Sequence, residues 1–278
     1  MSVSSIPLAK TAAPVPGQAV HQFGGSAIVA GQRGVAGTNT RDSLWSAFRI
    51  ENGTQIRNRA EYLESRADNF FAANGGRLNR DAGRLVIDAG TALTLGGTLA
   101  SNATGGRGSE VDILADHLAV VTSRTGASNR VELLASELNG LNADSLLLGA
   151  SRQQQGEDVT LEVRATDVTV ESGAAVAAPE VMLAASDHVA VDDGATITAS
   201  DGDRVRAPET ILLTGDSALA RISSGEQVRV QRQSSPGTAG TLNIAAGATL
   251  DASRSITLDA SRDTVVDGEL RTHNGSLS

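Results

Sequence analysis

The chain has 278 residues, 40% of them hydrophobic, which is enough to bury a core; 32 carboxylates against 23 bases give a net charge of −9. No stretch gathers arginine or lysine into a basic stripe, which argues against nucleic acid and anionic membrane as partners, because both need clustered positive charge. Cysteine is absent, so disulfides and thiolate-bound metal are excluded, and no window approaches the ~18 to 20 apolar residues of a membrane span.

Residues 1–40 are rich in Ala, Gly, Pro, Ser and Thr and follow neither a 2-residue nor a 3.6-residue apolar period, which predicts a flexible or irregular lead-in. From 41 to 80 the texture changes. In "QIRNRAEYLESRADNFF" the residues Ile56, Ala60, Leu63, Ala67 and Phe70 share one helical face, Arg57 and Glu61 form an i,i+4 pair, and "NGG" at 74–76 supplies a stop. This predicts a short amphipathic helix in a transition region. All six aromatic residues (Phe23, Trp45, Phe48, Tyr62, Phe70, Phe71) lie before residue 72. Whatever is buried beyond them is buried by Val, Leu, Ile and Ala, a composition suited to stacked sheets.

From 81 to 278 short apolar runs close on Gly, Asp, Ser or Asn, the pattern of strands and turns. Aligning the runs gives a rule: apolar, x, apolar, x, x, Gly, x, x, apolar, x, Ala. It holds at Val168, Val170, Gly173, Val176, Ala178, at Val189, Val191, Gly194, Ile197, Ala199, and at Leu242, Ile244, Gly247, Leu250, Ala252. A looser copy sits at Ala220, Ile222, Gly225, Val228, and tighter ones at Leu93, Leu95, Gly97, Leu99 and at Thr264, Val266, Gly268, Leu270. The glycines from 173 to 268 are spaced 21, 31, 22 and 21 residues apart, so "DGDRVRAPET" reads as an inserted loop of ten residues. Gly97, Gly173, Gly194, Gly225, Gly247 and Gly268 are the expected turn glycines. A unit this short cannot close a core alone and must be covered by the next copy. With no leucine-rich signature and no return helix, the pattern predicts an all-β chain wound as a parallel β-helix, with like positions stacked in ladders. Glu171 then stacks on Asp192, and the like charges place both toward solvent.

"LNADSLLLGASRQQQGEDVTLEV" (141–163), "GDSALARISSGEQVRVQR" (215–232) and "GTLNIAAGATLDASRSITLDASRDTVVDGELRT" (240–272) resemble the haemagglutinin-type repeats of filamentous-haemagglutinin-like exoproteins, the passengers of two-partner secretion. The resemblance covers about residues 81–278. It implies a right-handed parallel β-helix, passage through a dedicated outer-membrane transporter, a place outside the cell or on its surface, and adhesion to receptors or glycans on host or neighbouring cells. It equally covers the stalk of a toxin-delivery exoprotein. The chain shows no basic leader followed by an apolar core and ends at "HNGSLS", features expected of a segment of a longer exoprotein.

The rival expectation is a polysaccharide-active β-helix, which lines a groove with carboxylates, a basic residue and aromatic platforms. Three or more clustered carboxylates within reach of an arginine would favour it. The candidates are Asp187, Asp192, Asp193, Asp201 and Asp203, but "DDG" and "DGD" stand where turns need Asx and Gly anyway. The histidines, His21, His117, His188 and His273, are far apart in sequence and read as residues flanking turns. Asn52, Asn102 and Asn274 begin Asn-x-Ser/Thr sequons and read as turn residues. "ATGGRGSE" (103–110) matches no phosphate-binding loop, and no nonapeptide calcium repeat occurs. The sequence therefore predicts no catalytic residue, cofactor or metal site, and a structural and adhesive role.

Overall fold

The computed structural model describes residues 2–6, 15–22, 24–59, 80–100, 103, 106–200, 205, 207–273 and 276–277. The chain divides into two compact units, Met1–Ala73 and Asn74–Ser278.

In the first unit β1 (Ser2–Ile6), β2 (Ala19–His21), β3 (Ala27–Gly31) and β4 (Ser46–Glu51) form an antiparallel sheet in the order β1-β4-β3-β2. Strands thus occupy part of the lead-in that was expected to be irregular. "AIVAG" pairs along its whole length with β4, from Ala27 opposite Ile50 to Gly31 opposite Ser46. Backbone ladders need no alternation of side chains, so a run of small residues hid this strand. Helix α1 (Gly53–Arg59) opens on a reciprocal cap, in which Gln55 N donates to Asn52 Oδ1 and Asn52 N to Gln55 Oε1, each at 2.9 Å. Beyond Arg59 the helix expected through residue 71, with its Glu61 partner and its stop, lies outside the described residues.

The second unit is built of strands, most of them paired in parallel. Sheet I joins β7 (His117–Val121), β8 (Val131–Leu134), β12 (Asp167–Val170), β15 (His188–Val191), β20 (Thr241–Ile244) and β23 (Asp263–Val266) in the order β23-β20-β15-β12-β7-β8, all parallel. Sheet II joins β13 (Ala175–Ala177), β16 (Thr196–Ala199), β21 (Thr249–Ala252) and β24 (Glu269–Thr272), also parallel. Sheet III runs β25-β22-β18-β14-β9-β6-β5, from β5 (Arg84–Asp88), β6 (Glu110–Leu114), β9 (Ser145–Leu148), β14 (Glu180–Ala185), β18 (Ala218–Ser223), β22 (Ser255–Ala260) and β25 (Ser276–Leu277).

Across sheet I, Val168 pairs with Val189, Val189 with Leu242 and Leu242 with Thr264; across sheet II, Val176, Ile197, Leu250 and Leu270 do the same. The apolar positions of the sequence rule therefore lie side by side. Together with the inward residues of sheet III, such as Val181, Leu183, Ala220 and Ile222, they form one continuous buried cluster.

The looser copy of the repeat is not a neighbour in this stack. His188 stands beside Thr241, 53 residues away, and the strands described between β16 and β20 lie outside sheets I and II. That stretch supplies β17 (Thr210–Thr214), β18 and β19 (Arg229–Gln233), so the insertion is far larger than the ten-residue loop expected. β18 enters sheet III antiparallel to both β14 and β22. Ala220 and Ile222 do face the main core, but Val228 belongs to another. Alternation identifies a strand that faces a core and specifies neither its sheet nor its direction. Leu93, Leu95 and Leu99 pack against the main core without forming a strand.

β10 (Ala150–Gln155), β11 (Asp158–Val163), β17 and β19 make sheet IV, a hairpin followed by two parallel strands. Its Val159, Leu161, Ile211 and Leu213 pack with Leu147, Met182, Ala184 and Leu219 from the outer face of sheet III, forming a second core. Sheet III is thus covered on both sides, which explains the unbroken apolar runs in "SLLL" and "EVMLAA". At the free edge of sheet II, α2 (Ala135–Gly140) presents Asn139, whose amide donates to Ala175 O and accepts from Ala177 N, in place of a further strand.

Of the expected turn glycines, Gly173 and Gly194 adopt φ of 74° and 75° directly after β12 and β15. Gly247 and Gly268 serve by size. A Cβ on Gly247 would collide with the Asp193 carboxylate, and one on Gly268 would stand 2.6 Å from Ala245 O. Gly225 is crowded by Val205 and Arg221, whereas Gly97 faces open space. Gly149, outside the repeat rule, is confined by backbone. At φ 92° it lies against Val168, and a Cβ there would overlap Ala184 O. Gly149→Ala should lower stability by more than about 3 kcal/mol in urea denaturation, because a left-handed backbone is combined with a backbone collision. Gly126→Ala, at φ 77° with nothing within 4 Å, should cost only about 1 to 2 kcal/mol.

Candidate functional site

The outer face of sheet III carries charge in the middle of its apolar rows. Asp112, Leu147, Met182, Arg221 and Thr257 stand opposite one another in sequence across five strands. In the adjacent row Glu110 faces Ser145, and Glu180 faces Ser223, which faces Ser255. Sheet IV lies over part of this face, and all of these groups except Glu110 are buried.

Arg221 is completely buried and fully used. Its Nε donates to Glu180 Oε1 at 2.7 Å, Nη2 to Ser223 Oγ at 2.9 Å, and Nη1 to Ser255 Oγ and Glu226 O at 3.0 Å. Glu180 also accepts from the hydroxyls of Ser145 and Ser223. Burial pushes the Glu180 carboxyl upward, but Arg221, Arg152 and the two hydroxyls outweigh it and hold the group below the usual carboxylate range.

The second pair is less complete. Asp112 is fully buried and accepts from Arg152 N at 3.0 Å, while Arg152 Nε stands 3.4 Å from Oδ1 without hydrogen-bond geometry. Burial drives the Asp112 carboxyl up, opposed by Arg152 and, less strongly, by Arg84. Arg152 Nη2 has no partner, and Nη1 is 3.8 Å from Glu110 Oε2.

Arg152 borders a narrow cleft between sheets III and IV with about 30 Å³ of enterable space. Arg107, Glu110, Gln154 and Glu180 form its polar side; Val159, Leu161, Met182 and Ile211 form its apolar side. A smaller lobe of about 20 Å³ shares Arg107, Glu110 and Glu180 and adds Ser109, Asp144 and Ser145.

The cleft and its lobe thus present three carboxylates, Glu110, Asp144 and Glu180, beside Arg107 and Arg152, the clustering expected of the polysaccharide-active alternative, while Asp112 is sealed from solvent. Of the aspartates singled out in the sequence, none among the described residues contributes. Asp187, Asp192 and Asp193 lie in turns flanking β15, and Asp201 and Asp203 lie outside the described residues. Burial, then the neighbouring Glu171, raises the Asp192 carboxyl. Neither of that pair points freely to solvent, since both are half-buried and Glu171 is bound by Arg130 Nη1 at 2.5 Å. The histidines do not converge. His117 Nδ1 contacts Asp167 Oδ1 at 2.5 Å, His188 Nδ1 contacts Thr241 Oγ1 at 2.7 Å, His273 Nε2 contacts Asp251 Oδ1 at 2.8 Å, and His21 belongs to the first unit. Among the described residues no three His, Asp or Glu are grouped to hold a metal ion, and no helix is long and apolar enough to cross a membrane.

Sequence reasoning missed Asp112, Arg152, Glu180 and Arg221. Asp112 and Arg221 carry one signal, a charge set between apolar residues, as in "EVDIL" and "ALARIS", and Arg152 in "ASRQQQ" carries none. No protein family, curated protein or solved structure matches the chain.

Removing one partner of a buried pair strands the other. Arg221→Met should therefore cost about 3 to 5 kcal/mol at pH 7, and E180Q/R221M together should restore most of it. Because the folded Glu180 carboxyl lies below its ordinary 4.5, its contribution is complete above that pH and is lost as pH falls through the lower folded value. Urea denaturation at pH 7 and pH 4 should accordingly show a shallower acid loss in E180Q/R221M than in the wild type.

Proposed function

We propose that residues 81–278 wind as a right-handed parallel β-helix. In this reading the chain is a non-enzymatic structural and adhesive segment of a secreted, cell-surface exoprotein of the filamentous-haemagglutinin type. The observation that carries the reading is the in-register parallel pairing of β12, β15, β20 and β23 alongside that of β13, β16, β21 and β24. Runs such as β20-β21-β22 and β23-β24-β25 visit sheets I, II and III in turn, as successive coils of a solenoid would. Each coil is templated by its neighbour, which suits a chain that emerges unfolded through an outer-membrane transporter and folds as it appears. The absence of cysteine fits the same route. Inward ladders are occupied by packing, so recognition of receptors or glycans on host or neighbouring cells falls to the outer surface and its insertions. A toxin-delivery stalk would use this region identically.

The cleft favours one other reading, a polysaccharide-active β-helix, through Glu110, Glu180, Arg107 and Arg152. Weighing against it, Glu180 is committed to a buried arginine, and no aromatic residue follows Phe71 to stack on a sugar ring.

Beads coated with the chain should adhere saturably to cultured epithelial cells or to neighbouring bacteria, and the protein should release no reducing or unsaturated ends from acidic polysaccharides. Loss of adhesion would remove the leading reading. Sugar release that disappears in Glu110→Gln would establish the other.

A further inference from the structure

We propose that the free edge of β5 pairs with the β5 edge of a second copy of the chain, antiparallel and centred on Val86, to make a two-fold dimer. β5 ends sheet III, and among the described residues no strand lies beyond it. The hydrogen bonds from Glu110 N to Gly83 O and from Ala89 N to Leu114 O fix the phase of its parallel ladder with β6. Leu85 and Ile87 therefore turn their backbone groups toward β6, and Arg84, Val86 and Asp88 turn theirs away. An uncovered edge of this kind is a template for another strand. It is also apolar at its centre, with Leu85 39% and Val86 45% exposed.

The strand's own sequence, "RLVID", selects the occupant. Set antiparallel about Val86, that residue opposes its own copy, Leu85 opposes the second copy's Ile87, and Arg84 opposes the second copy's Asp88. The residues with free N–H and C=O groups are the ones brought face to face as hydrogen-bonded pairs, so the register that matches the side chains also matches the backbone. Leu85 and Ile87 stand beside Val111 and Ile113 of the main core, and pairing continues that core across the two-fold axis. On the other face two Arg84–Asp88 ion pairs flank the Val86 contact. Asp88 is exposed and bound by none of the described residues. Arg84 donates through Nη1 to Arg152 O, and its Nε lies 3.9 Å from Asp112 Oδ2, which steadies its stem while 34% of the side chain stays exposed. A parallel arrangement would set Arg84 on Arg84 and Asp88 on Asp88, like charges that disfavour it. The two-fold contact is complete at two copies and does not grow into a fibre.

Sedimentation velocity on the full chain, from low to high micromolar concentration, tests this. The wild type should show a reversible monomer–dimer equilibrium with no larger species, weak because a five-residue ladder buries less than the ~1,200 Å² of a standard interface. Asp88→Arg sets an arginine against Arg84 from an exposed position and should weaken the dimer about tenfold or more with an unchanged circular dichroism spectrum. Val86→Pro removes an N–H that the ladder with β6 does not use and should abolish the dimer. The chain has no cysteine, so V86C, opposed to itself across the axis, should close an intermolecular disulfide on mild oxidation much faster than V265C, which is equally exposed at 46% in β23. A wild type that stays monomeric throughout, or one that grows beyond two copies, would overturn the proposal. Wild-type dimerisation in D88R, or V265C linking as fast as V86C, would do the same.

Discussion

The structure of the second unit depends on parallel backbone pairing in strict register, with Val189 held between Val168 on one side and Leu242 on the other. A parallel strand shifted by one residue would turn every inward Val and Ile to the opposite face, so the alternation of apolar residues locks the register as firmly as the hydrogen bonds do. Ala174, Ala195 and Ala248, all buried, continue the ladder through the turn between sheets I and II. The turn's sharpness comes from Gly173 and Gly194, and its tight stacking from the missing side chain at Gly247.

Sheet III is where this regularity is broken and used. The hairpin β10-β11 and the block containing β17 and β19 leave the stack and fold over its outer face, converting a surface expected to be wet into a second core. Charged side chains that would be unremarkable on an exposed strand are thereby buried. Glu180 and Arg221 resolve this by pairing with each other and with three serines. Asp112 and Arg152 resolve it only in part, and the cleft lies beside that incomplete pair.

The all-β, largely parallel character was legible because two apolar positions and a glycine recurring at 21 residues are satisfied by pairing like with like. Val168 and Val189 were placed side by side correctly on that ground alone, whereas Leu242 was expected beside Ala220. The neighbour of β15 was not legible. Ala220, Ile222 and Gly225 obey the rule as well as Leu242, Ile244 and Gly247 do, and local alternation carries no information about strand direction or sheet. The strands of the lead-in were hidden because their small residues leave little periodic signal. The site was hidden for a different reason. Glu180 and Arg221 are 41 residues apart, and Asp112 and Arg152 are 40, so each looks like a surface charge until the covering sheet is in place. The unbroken apolar runs around them recorded burial on both faces, but not what would cover them.

The central claim is that β15 stacks directly on β20 and that the intervening block is excluded from the ladder. Ala190 and Asn243 are opposed in that pairing. Neighbouring strands place such Cα atoms about 4.8 Å apart, within the range a disulfide spans. The chain has no cysteine of its own, so the variant A190C/N243C isolates this contact. Mild oxidation of the folded variant should close an intramolecular disulfide that speeds its migration on a non-reducing gel. Two thiols that stay free under the same conditions would contradict the stacking on which the account rests.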